Sequence, residues 1–310
     1  MAVAQPPSWQ AHTAPVHSLT FSPDGKTLAS AGFDGAIKLW AWPDAKETKS
    51  LPAHPSPAYS VAYSPDGLQL ATCSVEPVIK IWTTADGKMA KEIKGHTGIV
   101  DCVAFSPDGK VLASASSDKS VRLWNTADGK EIKKLGDHTA NAYTVAFSKD
   151  GKMLLSTGAD NLVKLWDVNE KKALRDLKGH TAPVTGAVFL PDGKTVASIS
   201  HDRTVKLWNV ADGKEAFRVD LKEAFGGKKG DGWGYSESVL VEGDKVFFTP
   251  GGAKGSMVAL DKMTGKLLWP AQKRNDLLYV AGVHRGKAVF VGKGNLVALQ
   301  MSDGKPAWPN

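Results

Sequence analysis

Residues Gly95–Leu135 read GHTGIVDCVAFSPDGKVLASASSDKSVRLWNTADGKEIKKL, and this stretch is one copy of a unit that returns every 42 residues. His96 has counterparts at His12, His54, His138 and His180. Asp108, within Ser-Pro-Asp-Gly, has Asp24, Asp66, Asp150 and Asp192, and Trp124 has Trp40, Trp82, Trp166 and Trp208. Five copies in one register describe a single supersecondary module stacked repeatedly along the chain.

The pattern within one copy predicts its parts. Val100 and Val103–Phe105 make a short apolar, β-branched run that stops at Ser106-Pro107-Asp108-Gly109. Pro followed by Asp-Gly supplies both the fixed and the left-handed backbone angles of a tight turn. Val111–Ser116 is a second run, and Val121-Arg122-Leu123-Trp124 alternates apolar with polar as a third strand does. Asp128-Gly129 marks another hairpin turn, and Glu131–Leu135 is a polar fourth strand. A small four-stranded sheet cannot cover both of its faces alone, whereas sheets stacked around an axis cover one another.

Gly-His near the start, an Asp six residues before the Trp and the length of the unit resemble WD repeats, the blades of β-propellers. Trp166-Asp167 spells the full Trp-Asp pair; the other copies end Trp-Ala, Trp-Thr, Trp-Asn and Trp-Asn. In that family a His, a Ser or Thr, an Asp and the Trp form a hydrogen-bonded tetrad in each blade. The resemblance implies five such sets: His12/Ser30/Asp34/Trp40, His54/Thr72/Glu76/Trp82, His96/Ser114/Asp118/Trp124, His138/Ser156/Asp160/Trp166 and His180/Ser198/Asp202/Trp208. The second departs by carrying Glu76, whose longer arm is expected to loosen its network. A Ser-His-Asp constellation also suggests a nucleophile, but repetition five times at constant spacing marks a structural network. No catalytic residue is assigned.

Length and composition suit one large all-β domain. The chain has 310 residues, 42% of them hydrophobic, and 31 glycines. No apolar run is long enough to span a bilayer, and Met1–Pro7 lacks the basic and apolar regions of a signal peptide, so a cytoplasmic protein is expected. The net charge of +7 is spread over repeated turns (Lys26, Lys110, Lys152, Lys194) and outward strand positions (Lys38, Lys80, Arg122, Lys164, Lys206). That distribution predicts a solvated rim, with no nucleic-acid stripe. Cys73 and Cys102 stand where other copies have small residues and are read as free buried thiols. They offer no metal-binding pattern with the histidines.

Along the chain, residues 1–11 are a Pro-rich lead that aligns with the end of a fourth strand, and either close the last blade or form a tail. Residues 12–220 hold the five copies. After Asp212-Gly213 the phase fails, and residues 221–237 form a Gly-rich junction without the Gly-Lys-Ser/Thr ending of a phosphate loop. Residues 238–310 then show two further four-strand patterns: Ser238–Glu242, Lys245–Thr249, Ser256–Leu260 and Lys266–Trp269, followed by Leu277–Val283, Lys287–Val291, Leu296–Gln300 and Lys305–Trp308. Ala259–Trp269 and Ala298–Trp308 match each other and resemble the Trp-docking motif of propellers of the pyrroloquinoline-quinone (PQQ) dehydrogenase type, Ala-x-Asp-x-x-Thr-Gly-Lys-x-x-Trp. The resemblance makes Trp269 and Trp308 packing residues. Five plus two predicts one seven-bladed β-propeller of four-stranded antiparallel blades, bacterial in flavour and monomeric. Residues 305–309 compete with the N-terminal lead for the outer position of the seventh blade.

Function is expected of the ring's narrow face, where WD-type propellers dock peptides or proteins. The residue five after each tetrad His is His17, Tyr59, Asp101, Tyr143 or Thr185. Two residues earlier stand Pro15, Pro57, Ile99, Asn141 and Pro183, and the residue before each tetrad acid is Phe33, Val75, Ser117, Ala159 or His201. Positions that vary while the repeat stays fixed are those released from packing. The candidate partner-binding residues are therefore His17, Phe33, Tyr59, Ile99, Asp101, Ser117, Tyr143, Thr185 and His201, several of them aromatic or apolar as binding hot spots often are. The expected function is a non-enzymatic scaffold for a protein or peptide partner, without cofactor or metal. One alternative is a quinoprotein dehydrogenase or a fragment of one. It lacks an assignable acidic cluster for calcium and an adjacent-cysteine pair. Another is a cofactor-free PQQ-like assembly module, similar to outer-membrane assembly propellers, against which the missing signal peptide weighs.

Overall fold

The computed structural model describes residues 8–42, 44–221, 240–242, 245–248, 258–261, 277–284, 287–292 and 295–300. Within each repeat the turn chemistry sets the hairpin. Ser106 Oγ donates to the Asp108 carboxylate at 2.6 Å, which accepts the Lys110 N–H at 3.1 Å, while Gly109 takes φ +73°. The strands that follow in blade 3 are Val100–Phe105, Val111–Ser116, Ser120–Asn125 and Glu131–Asp137, antiparallel and hydrogen-bonded in chain order. The other four WD-type blades repeat this order: Val16–Leu51, Ala58–Lys94, Ala142–Leu177 and Val184–Asp220.

Burial follows position in the blade. The second strand, Leu112–Ser116, is buried throughout, and the fourth strand is largely exposed. The apolar core lies between blades rather than within one. Ala71, Cys73, Ile79, Ile81 and Ile93 of blade 2 pack against Val100, Val103, Leu112 and Trp124 of blade 3. Each sheet thus covers its neighbour, the arrangement that makes an isolated blade unstable and a stack stable.

The third-strand cations depart from the expected solvated rim. Lys38 meets Glu47 at 2.9 Å, Arg122 meets Glu131 at 2.7 Å and Lys164 meets Asp176 at 3.1 Å. Lys206 pairs with Glu215 and is only 4% exposed. In each case the acid of the adjacent strand neutralises the head, and Lys38 and Lys206 also stand over the Trp40 and Trp208 rings.

Seven sheets are present among the described residues. The sixth is described in three strands, Leu240–Glu242, Lys245–Phe248 and Val258–Asp261. The seventh contains Leu277–His284, Lys287–Gly292 and Asn295–Gln300, with Ser8–Gln10 as its fourth strand. Ser8 pairs with Val297, Trp9 with Leu296 and Gln10 with Asn295. Blade 7 also packs on blade 1, with Val289, Leu296 and Ala298 against Val16, Leu19, Leu28 and Trp40. The expected strands Lys266–Trp269 and Lys305–Trp308, with Trp269 and Trp308, lie outside the described residues, as does the junction beyond Leu221.

Candidate docking surface at the mouth of the blades

The sequence pattern of each inner strand hides an irregularity. Its buried apolar residues are three apart, not two: Val16/Leu19, Ala58/Val61, Val100/Val103, Ala142/Val145 and Val184/Ala187. A regular strand would turn one of each pair outward. The structure resolves this with a β-bulge. Pairing skips from Val16 to Ser18, from Ala58 to Ser60, from Val100 to Cys102, from Ala142 to Thr144 and from Val184 to Gly186. The skipped residues are His17, Tyr59, Asp101, Tyr143 and Thr185. A bulge frees one residue from the ladder and re-aims its side chain. The spacing of three is the sequence signal that marks it.

The other candidate positions join the same spot. Phe33 N–H donates to Pro15 O at 2.8 Å, Ser117 N–H to Ile99 O at 2.8 Å and His201 N–H to Pro183 O at 2.9 Å. Each bond ties the turn after the second strand to the segment leading into the bulge. Phe33, Ile99 and Ser117 are half-buried and His201 is exposed.

Side chains meet across blades 1 and 2. The His17 and Phe33 rings stack at 5.3 Å, and Tyr59 stands edge-on to both, at 5.0 Å from His17 and 5.6 Å from Phe33. His17 Nδ1 lies 2.7 Å from Tyr59 O, so the cluster is tied to the neighbouring blade's backbone. All three residues are half-buried. Asp101 differs: its Oδ2 is buried and has no hydrogen-bond partner among the described residues. Burial pushes its carboxyl up to about 7, against the pull of the Ser117 backbone N–H. Thr185 Oγ1 is likewise buried and unpartnered, so this candidate turns its polar atom inward.

Beneath this rim the tetrads are formed in all five blades. In blade 3, His96 Nδ1 is 2.8 Å from Asp118, His96 Nε2 is 2.7 Å from Ser114 Oγ, and Trp124 Nε1–H donates to Ser114 Oγ at 2.8 Å. Ser30, Thr72, Ser114, Ser156 and Ser198 have no exposure. A hydroxyl closed to solvent and already bonded on both sides is a core link, not a nucleophile. Burial raises the Asp118 carboxyl, but the Ser120 hydroxyl, the Thr97 N–H and His96 outweigh it and hold the group well below the usual range.

Blade 2 keeps its tetrad with Glu76, at 3.2 Å from His54 Nδ1. Its network is looser for a further reason. In the other four blades the acid accepts a backbone N–H at 3.0 Å, from Thr13, Thr97, Thr139 or Thr181. Blade 2 has Pro55 there, which has no N–H to give.

The described residues contain no group of three or more His, Cys, Asp or Glu side chains arranged to hold a metal. Both cysteines are free, Cys73 buried and Cys102 half-buried.

Interleaved four-stranded blades with a buried His–Ser–Trp network define a β-propeller scaffold. The sequence profile described as WD domain, G-beta repeat matches residues 5–41, 45–83, 87–125 and 129–167, and that of outer membrane protein assembly factor BamB matches residues 157–310. The chain is a WD-repeat β-propeller protein whose C-terminal part is of the PQQ type. The WD matches number four rather than the expected five. The fifth copy falls within the BamB match, although its tetrad is complete, with His180 bonded to Asp202 and Ser198, and Trp208 to Ser198. No curated protein matches the chain as a relative.

Proposed function

We propose that this protein is a non-enzymatic scaffold that docks a protein or peptide partner on the blade ends carrying the bulged residues. The observation that carries the reading is the bulge itself. At one position per WD-type blade the chain gives up a ladder position, and His17, Tyr59, Asp101, Tyr143 and Thr185 stand there while each blade keeps its hydrogen-bonded tetrad. The half-buried cluster of His17, Phe33 and Tyr59 supplies an aromatic anchor of the kind that dominates binding energy.

The test is recovery of partners on immobilised protein from an extract of the source cells. The wild type is compared with Tyr59→Ala/Tyr143→Ala. The expected result is loss of one or more specific partners from the double variant, with unchanged folding by circular dichroism. Equal recovery of every partner refutes the reading.

A second reading is favoured by the match of residues 157–310 to the BamB profile: a cofactor-free propeller module in an assembly machine. Under it, docking would map to blades 5–7 rather than to Tyr59 and Tyr143. The same comparison separates the two.

A further inference from the structure

Asp101 is the one acid among the five bulged residues, and like Thr185 it has a buried polar atom left unmatched. The inner strands on either side bring Tyr59 and Tyr143 to the corresponding positions of the adjacent blades. Tyr143 is close enough to feel the Asp101 charge. The residue as a whole is half-buried, while its Oδ2 is covered and orphaned. A buried acceptor without a donor costs about 1–3 kcal/mol. Folding alone does not recover that cost here, and a donor arriving from outside would.

We infer that the mouth of the blades receives a basic side chain of the docked peptide, an arginine or lysine, whose N–H groups reach Asp101 between Tyr59 and Tyr143. This rests on the docking reading above and names the chemistry of its partner. An acid is the complement of a cation, and the tyrosines at the neighbouring bulges are residues whose ring faces attract one. The third-strand cations do not neutralise it: Lys38, Arg122, Lys164 and Lys206 are engaged with acids of their own blades. Reaching Oδ2 requires a neighbouring side chain to rotate aside, a rearrangement common at interfaces.

The carboxyl must be ionised to hold a cation, so binding is linked to proton release. Five other titratable side chains stand on the strands packed around Asp101: Tyr59, Tyr63 and Tyr143 on the flanking inner strands, Cys73 on the second strand of blade 2 and Cys102 beside it. Burial pushes Tyr143, Cys73 and Cys102 up, away from neutrality.

The experiment is a titration of the full chain with the peptides acetyl-Gly-Ala-X-Ala-Gly-amide, where X is arginine, lysine or norleucine, followed by NMR. The expected result is that an arginine or lysine peptide binds about tenfold or more tightly than norleucine. Asp101→Asn should abolish that preference, and the wild-type preference should grow from pH 5.5 to pH 8 while the variant's stays flat. Equal affinity for the three peptides, no binding by any of them, or a preference that survives Asp101→Asn overturns the inference. If norleucine peptide binds as well as arginine and Tyr59→Ala/Tyr143→Ala removes both, the docking surface stands and the cation inference alone falls. If the double variant binds like the wild type, the docking reading falls with it.

Discussion

Trp124 Nε1–H donates to Ser114 Oγ at 2.8 Å, deep between blades 2 and 3. The same oxygen lies 2.7 Å from His96 Nε2, so one hydroxyl links the indole to the imidazole and, through it, to Asp118. Ser114→Ala leaves the indole N–H and the imidazole nitrogen buried without partners. The expected cost is about 2–3 kcal/mol, read as a lower urea midpoint. A change under about 0.5 kcal/mol would show that the link contributes nothing net.

Blade 2 offers the reverse experiment. Glu76 reaches His54 at 3.2 Å, but Pro55 denies it the N–H that the other acids receive. Glu76→Asp alone is expected to bring no gain. Pro55→Thr/Glu76→Asp restores both donor and reach and should add about 1 kcal/mol in thermal or chemical unfolding. A gain from Glu76→Asp alone would mean that arm length, not the missing donor, limits this blade.

The N-terminal strand Ser8–Gln10 covers the edge of Asn295–Val297. Deleting residues 2–10 exposes that edge. The midpoint of thermal unfolding should fall by about 5 °C, and the amides of residues 295–297 should exchange faster. Unchanged exchange at those amides would show that the edge is covered by another segment.

Asp101 sets a pH dependence of known sign. Its folded value of about 7 lies above the unfolded one, so the native state holds the proton more tightly. Stability from this group therefore falls as pH rises from about 4 to about 7. Asp101→Asn removes the dependence, and its advantage over wild type should be on the order of 2 kcal/mol larger at pH 8 than at pH 5. An advantage independent of pH would place the native carboxyl near its ordinary value.

The repeat made most of the fold legible without coordinates. Ser-Pro-Asp-Gly, the alternation before each Trp and the constant phase of His, Ser and Asp are local chemistry, and they specify strands, turns and tetrads one blade at a time. The bulges were visible only as a spacing of three between Val100 and Val103. What that spacing does to Asp101 depends on the strand it fails to pair with. The burial of Lys206 was misread because its exposure is set by Glu215 on the adjacent strand.

The sequence by itself determined that the chain is a stack of small sheets that must cover one another, since no blade holds enough apolar surface of its own. Only the tertiary structure decided which end supplies the outer strand beside Asn295–Gln300, which rings meet at His17, and that Asp101 Oδ2 is left without a donor. These are contacts between residues brought together by the stacking of blades, and the pattern within one repeat carries no information about what the next blade places opposite it.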